Sequence, residues 1–96
     1  MTPAERHKGL VASIGCVICR SLGFGLIPCE LHHIAEGSGV RSDFSVAGLC
    51  REHHTGKSGL HGMGTKRFCA LYRLPGETEY GLLVMVNEQL ARYSDR

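Results

Sequence analysis

Two pairs of metal-type side chains, Cys16-x-x-Cys19 and Cys50-x-x-His53, constrain this chain more than any other feature. Two residues between ligands let both side chains converge on one ion from a tight turn or a helical turn. Four such ligands close a tetrahedral zinc site. A chain of 96 residues with 13 Gly has a thin core, so a metal staple contributes directly to its folding energy. The two halves are separated by 30 residues, which must form a structural excursion of their own. Cys29, three residues before His32, is a competing ligand, and Cys69 reads as a small buried hydrophobe. An odd count of 5 Cys does not suit a full disulfide framework. A buried thiol or redox pair is the plain alternative for Cys16 and Cys19, but no thioredoxin-like βαβ pattern surrounds them.

The length allows one domain over residues 1–96 and excludes large catalytic architectures such as a TIM barrel. No run approaches the ~18 apolar residues of a membrane span. The N-terminus lacks the basic start and apolar core of a signal peptide, so a cytosolic chain with no membrane partner is expected. In a reducing compartment, cysteines are more often metal ligands than disulfides.

Local signals place the elements. Thr2 can cap a helix, with Pro3 at its first position and Glu5 completing a capping box, which predicts a helix over 3–14 ended by Gly15. Residues 20–28 read as a turn-rich connection. Glu30 to Ile34 and Val46 to Leu49 read as short strands, with a Gly/Ser-rich loop over 35–45 between them. Two turns of helix are expected from Cys50 to about Lys57. Gly56, Gly59, Gly62 and Gly64 predict an open loop, and a short helix follows over 66–72. Pro75-Gly76 breaks it, and Thr78 can cap a last helix over 78–92. Leu82, Leu83, Val86, Leu90 and Tyr93 share one face of that helix. The fold class is therefore α+β, with a zinc-stapled core over about 16–61 and packing helices on either side.

The histidines carry the chemistry. Five of them, His32, His33, His53, His54 and His61, fall within 30 residues beside the Cys pair. Neighbouring residues on a strand face opposite ways, and on a helix they differ by ~100°. If His53 serves the zinc site, His54 points elsewhere, toward the site that holds His32 or His33, and His61 can join from the Gly-rich loop. Two or three imidazoles around a divalent ion with open positions, plus a free His as base, suit phosphodiester hydrolysis. The net charge of +2 is too small to name a partner, but it is uneven. Residues 33–73 hold six basic side chains against three acidic ones, and residues 74–96 hold two against four. The basic excess sits with the His and Cys residues, which fits a phosphate-bearing partner or a plain solvated face.

These residues resemble a family. Cys16-x-x-Cys19, Glu30-Leu31-His32-His33-Ile34 and Leu49-Cys50-Arg51-Glu52-His53-His54 are similar to the ββα-metal finger of HNH endonucleases. The segments GCVICRSLGFG, ELHHIAEGSG and SDFSVAGLCREHHTGKSGLHG, with Phe68 and Tyr72, are similar to the phage recombination-enhancement, RecA-dependent nucleases. The resemblance covers about residues 5–92. It implies a metal-dependent DNA endonuclease of phage or prophage origin, working in a bacterial cytoplasm with RecA as a partner. It implies structural zinc on Cys16, Cys19, Cys50 and His53, and a catalytic Mg, Mn, Ni or Zn ion on His32 and His54, with His61 as a further ligand or phosphate contact. His33 takes the place of the general base. The middle position of the motif, which orients that base, is Ser45 here, with Asp43 two residues earlier on the same face of an extended segment. Arg41, Lys57, Lys66 and Arg67 are candidates for holding the DNA backbone. The alternative, favoured by Ser45, is a non-catalytic zinc adaptor that binds nucleic acid or protein.

Overall fold

The computed structural model describes residues 1–34 and 41–94, so the Gly/Ser loop expected over 35–45 is seen only from Arg41 onward. Helix α1 spans Pro3–Ile14. Thr2 Oγ1 accepts the Glu5 N–H at 3.1 Å, as its capping position requires. Gly15 ends α1 at φ +73, and a Cβ there would lie 2.4 Å from the Ile27 carbonyl oxygen. Both constraints demand glycine.

A two-stranded antiparallel sheet follows, β1 (Glu30–His33) paired with β2 (Val46–Leu49). The register sets His32 opposite Ala47 and His33 opposite Val46, and the Ile34 N–H donates to the Ser45 carbonyl at 2.8 Å. All four residues of β2 are buried, because α1 and α6 (Gly81–Ser94) pack against the strand. An apolar strand without alternation is what burial on both faces selects. At Gly48 a Cβ would sit 2.5 Å from the Gly15 carbonyl oxygen and 2.6 Å from Cys29 Sγ, so β2 can pass there only as glycine.

Four elements depart from the sequence expectation. The knuckle itself contains a short helix, α2 (Val17–Ser21), where Cys16 Sγ accepts the Cys19 N–H and caps the first turn. Helix α3 is a single turn, Arg51–His54, and does not reach Lys57; the Gly56 N–H instead closes on the Arg51 carbonyl. The Gly-rich stretch holds a further turn, α4 (Leu60–Met63), anchored by Leu60 at 2% exposure. Short helix α5 spans Thr65–Leu71. The last helix does not begin after Thr78. Residues Pro75–Glu77 form a 3₁₀ turn, Thr78 is extended, and α6 starts at Gly81, where a Cβ would meet the Pro75 carbonyl oxygen at 2.5 Å.

The result is a small mixed α/β fold around one core. Val11 and Ile14 of α1, Ile18 of α2, Phe68 of α5, and Leu82 and Val86 of α6 are all at most 1% exposed. Of the face expected on the last helix, Leu83 and Leu90 are half-buried, and the Tyr93 side chain lies outside the described residues. Cys69 is buried beside Phe68 in this core. Replacing Phe68 with Ala should cost about 3–5 kcal/mol, the usual loss for a fully buried aromatic. Urea unfolding in excess zinc, which keeps the metal contribution constant, checks this.

Candidate metal centres and the histidine cleft

The first centre is assembled by two helix starts. Cys16 caps α2 with an extended backbone, and Cys19 follows one turn on. Cys50 precedes α3 with the same extended backbone but without a side-chain cap bond, and His53 is one turn on. The four ligand atoms converge. His53 Nδ1 lies 3.2 Å from Cys50 Sγ, 3.5 Å from Cys19 Sγ and 3.6 Å from Cys16 Sγ, and the Cys19 and Cys50 sulfurs are 3.8 Å apart. Usual zinc bond lengths give a tetrahedron edges of about 3.8 Å between sulfurs and about 3.6 Å from sulfur to nitrogen. The cluster can therefore hold a metal such as zinc.

Its electrostatics agree with that fit. Burial, followed by the adjoining Cys16 and Cys50 sulfurs, pushes the Cys19 thiol up to about 12. Thiolates become stable there only with a cation among them. Burial lowers the His53 pKa, which keeps its ring neutral and its lone pair available. The Tyr72 ring packs edge-on against His53 at 5.3 Å between centroids, while its hydroxyl donates to the Ser58 carbonyl at 2.8 Å. Cys29 is not part of the cluster. Its Sγ lies 3.8 Å from the Ala12 carbonyl oxygen, against Gly48.

The second group lies on the other side of the His53–His54 step. Strand β1 turns His32 inward, to 7% exposure, and leaves His33 half-buried on the opposite face. His54 leaves α3 about 100° from His53. His61 arrives from α4, held by the burial of its neighbour Leu60. One ligating nitrogen from each of His32, His54 and His61 lies within 4.8 Å of the others, so these rings too could hold an ion. They border an open cleft of about 270 Å³ with Leu31, His33 and Arg41.

A family model described as recombination enhancement, RecA-dependent nuclease matches residues 2–93. The chain belongs to this family. No curated protein and no solved structure gives a significant match. For a RecA-dependent nuclease the substrate class is nucleic acid and the associated protein is RecA. In this nuclease the cleft is the one place where clustered imidazoles, a basic side chain and an open volume coincide among the described residues.

Two carboxylates that sequence reasoning did not single out support the cleft. Glu79 Oε2 accepts from His32 Nε2 at 2.8 Å, and Glu30 Oε1 accepts from His54 Nδ1 at 2.9 Å. Each bond commits one ring nitrogen as a donor and leaves the opposite nitrogen as a lone pair, the arrangement common behind metal-bound histidines. Glu79 is 47 residues from His32, so only the fold reveals the pair. Glu30 was visible as the first residue of the His-His strand, but its partner was not. Burial lowers the His32 pKa against the pull of Glu79, and the His54 and His61 rings lower it further.

The remaining candidates are distributed unevenly. His33 Nε2 donates to Asp43 Oδ1 at 2.9 Å, and Lys8 Nζ lies 3.5 Å from Asp43 Oδ2. The His33 hydrogen bond, then the Lys8 charge, holds the Asp43 carboxyl below its ordinary range. Ser45 contributes its backbone to the strand pair, and the hydrogen-bond partner at His33 is Asp43. Arg41 lines the cleft, whereas Lys66 and Arg67 border a separate groove with Met63, Gly64, Thr65 and Ala70. Lys57 is exposed and lines neither.

Cobalt titration of the metal-stripped protein should resolve two sites. Glu79→Ala should weaken the histidine site by about 10–100-fold and leave the cysteine site unchanged, because only the former loses its carboxylate support. Equal weakening at both sites would point to general misfolding.

Proposed function

We propose that this chain is an HNH endonuclease, with a ββα-metal core made of β1, β2 and α3, that hydrolyses DNA phosphodiesters with a divalent ion. We place it in a phage or prophage setting, acting with RecA in the bacterial cytoplasm. The observation that carries this reading is the His33–Asp43 hydrogen bond of 2.9 Å at the rim of the His32, His54 and His61 cleft. A non-catalytic adaptor would need neither the oriented imidazole nor the open histidine cluster.

The chemistry follows from these roles. An ion held by His32, His54 and His61 would bind a non-bridging phosphate oxygen and offset the charge that develops in the transition state. Mg, Mn, Ni and Zn all suit imidazoles with open positions. His33, with Nε2 given to Asp43, keeps Nδ1 for the attacking water. That nitrogen takes the water's proton as the new O–P bond forms and one P–O ester bond breaks. The departing alkoxide takes a proton from solvent. Asp43 holds the His33 tautomer and stabilises the imidazolium, the part expected of the motif's middle residue. Ser45 helps by pairing its backbone with Ile34, which carries the turn bearing Asp43. Zinc on Cys16, Cys19, Cys50 and His53 is structural.

Arg41 meets the backbone at the cleft, and Lys57, Lys66 and Arg67 extend the basic surface. Contacts to phosphate carry little sequence information, so cleavage is expected to have weak sequence preference unless RecA directs it.

Nicking of supercoiled plasmid, with each ion and with or without RecA filaments, tests this. His33→Ala should slow cleavage by about 100-fold or more, the range for loss of a general base, while DNA binding persists. Asp43→Ala should also slow it, and Asp43→Asn should retain more activity than Asp43→Ala. Cleavage by His33→Ala at the parent rate would overturn the assignment.

A further inference from the structure

The turn that delivers Asp43 also displays an aromatic ring. The Ser45 N–H donates to the Ser42 carbonyl at 3.0 Å, and the Phe44 N–H donates to Ser42 Oγ at 3.1 Å. These two bonds close a turn with Asp43 and Phe44 at its centre. The two side chains have different destinations. Asp43 goes to His33 and Lys8, and Phe44 goes to His7 of α1, with ring centroids 5.5 Å apart.

Phe44 is held but not covered. With His7 against it, the residue still exposes 56% of its surface. Core packing does not require this ring, since Phe68 fills the interior and Phe44 lies outside the buried cluster. Basic groups flank its turn, and His7 also lines a groove with Met1, Pro3, Arg6 and Leu10. Arg41 precedes Phe44 by three residues and lines the cleft, and Lys8 sits on its neighbour Asp43. An exposed ring on a turn flanked by basic groups suits a polyanion that carries flat aromatic units.

We propose that Phe44 is a stacking platform for an unpaired nucleobase next to the phosphate held in the histidine cleft. Asp43 bonds His33 at the cleft and Phe44 follows it in the same turn, so a strand whose phosphate reaches His33 runs toward the turn that carries the ring. Every base has a π-face, so such a platform selects for unpaired strand without reading sequence. His7 packs against the ring at an interplanar angle of 39°. The proposal rests on the cleft being where the strand is cut, but its test needs no cleavage.

The chain contains no Trp, so Phe44→Trp introduces a single reporter. Binding is measured without added catalytic ion, using a thymidine oligonucleotide and an abasic oligonucleotide of equal length and charge. The unsubstituted protein should prefer the thymidine strand by roughly tenfold, within the range for one base–aromatic stack. Phe44→Ala should lose that preference and bind both strands as the unsubstituted protein binds the abasic one. Phe44→Trp should keep the preference, with fluorescence quenched by the thymidine strand and not by the abasic one. Equal affinity of the unsubstituted protein for both strands, or an unchanged preference in Phe44→Ala, would overturn the platform. Plasmid nicking, run in parallel, judges the nuclease assignment separately. Nicking without base preference removes only the platform, and base preference without nicking removes only the proposed chemistry.

Discussion

Convergence of Cys16, Cys19, Cys50 and His53 on one point is the constraint on which the rest of the structure depends. It joins the start of α2 to the junction of β2 and α3, two places separated by 30 residues of sequence. The core alone is small, and a cation held among the three sulfurs and His53 would add directly to its folding energy. Once His53 is committed to that cluster, the helical rotation of ~100° per residue aims His54 away from it. The pairing of β1 with β2 then sets His32 opposite Ala47, within ring contact of His54 at 5.2 Å between centroids. The Cys/His cluster, which could hold a metal, and the histidine cleft are thus geared together by a single residue step.

The cleft draws on four further parts of the chain. α4 brings His61, the segment before α6 brings Glu79, the turn at Asp43 brings the partner of His33, and α1 brings Lys8. Glu79 and Glu30 each orient one imidazole, and one ligating nitrogen from each of His32, His54 and His61 lies within 4.8 Å of the others. This explains why the flanking helices are more than packing. α1 supports the acid side of the His33 pair, and the approach to α6 supports a member of the histidine cluster.

Much of this was legible in the residues. The capping signal at Thr2, the strand pair and the zinc half-sites are local patterns, and the structure carries them at the expected positions. The rotation between neighbouring helical residues sends His54 toward His32 or His33, and the structure groups it with His32 and His61. Other features depended on long-range contacts. The Glu79–His32 bond spans 47 residues, and nothing near Glu79 marks it. α4 was hidden because four glycines suggest an open loop, whereas the burial of Leu60 folds one turn there. Thr78 has the right chemistry for a cap, but the turn at Pro75–Glu77 occupies that space and delays α6 to Gly81. The sequence resemblance points to Ser45 with Asp43 beside it, and the side chain that reaches His33 is that of Asp43, from the 42–45 turn.

Anomalous scattering from a crystal of the protein grown with manganese and a short DNA strand would test the central claim most directly. The account predicts a zinc peak among Cys16, Cys19, Cys50 and His53. It also predicts a manganese peak among His32, His54 and His61 with a DNA phosphate oxygen in its coordination shell, within reach of His33. A zinc peak alone, or a phosphate bound away from the histidine cleft, would contradict it.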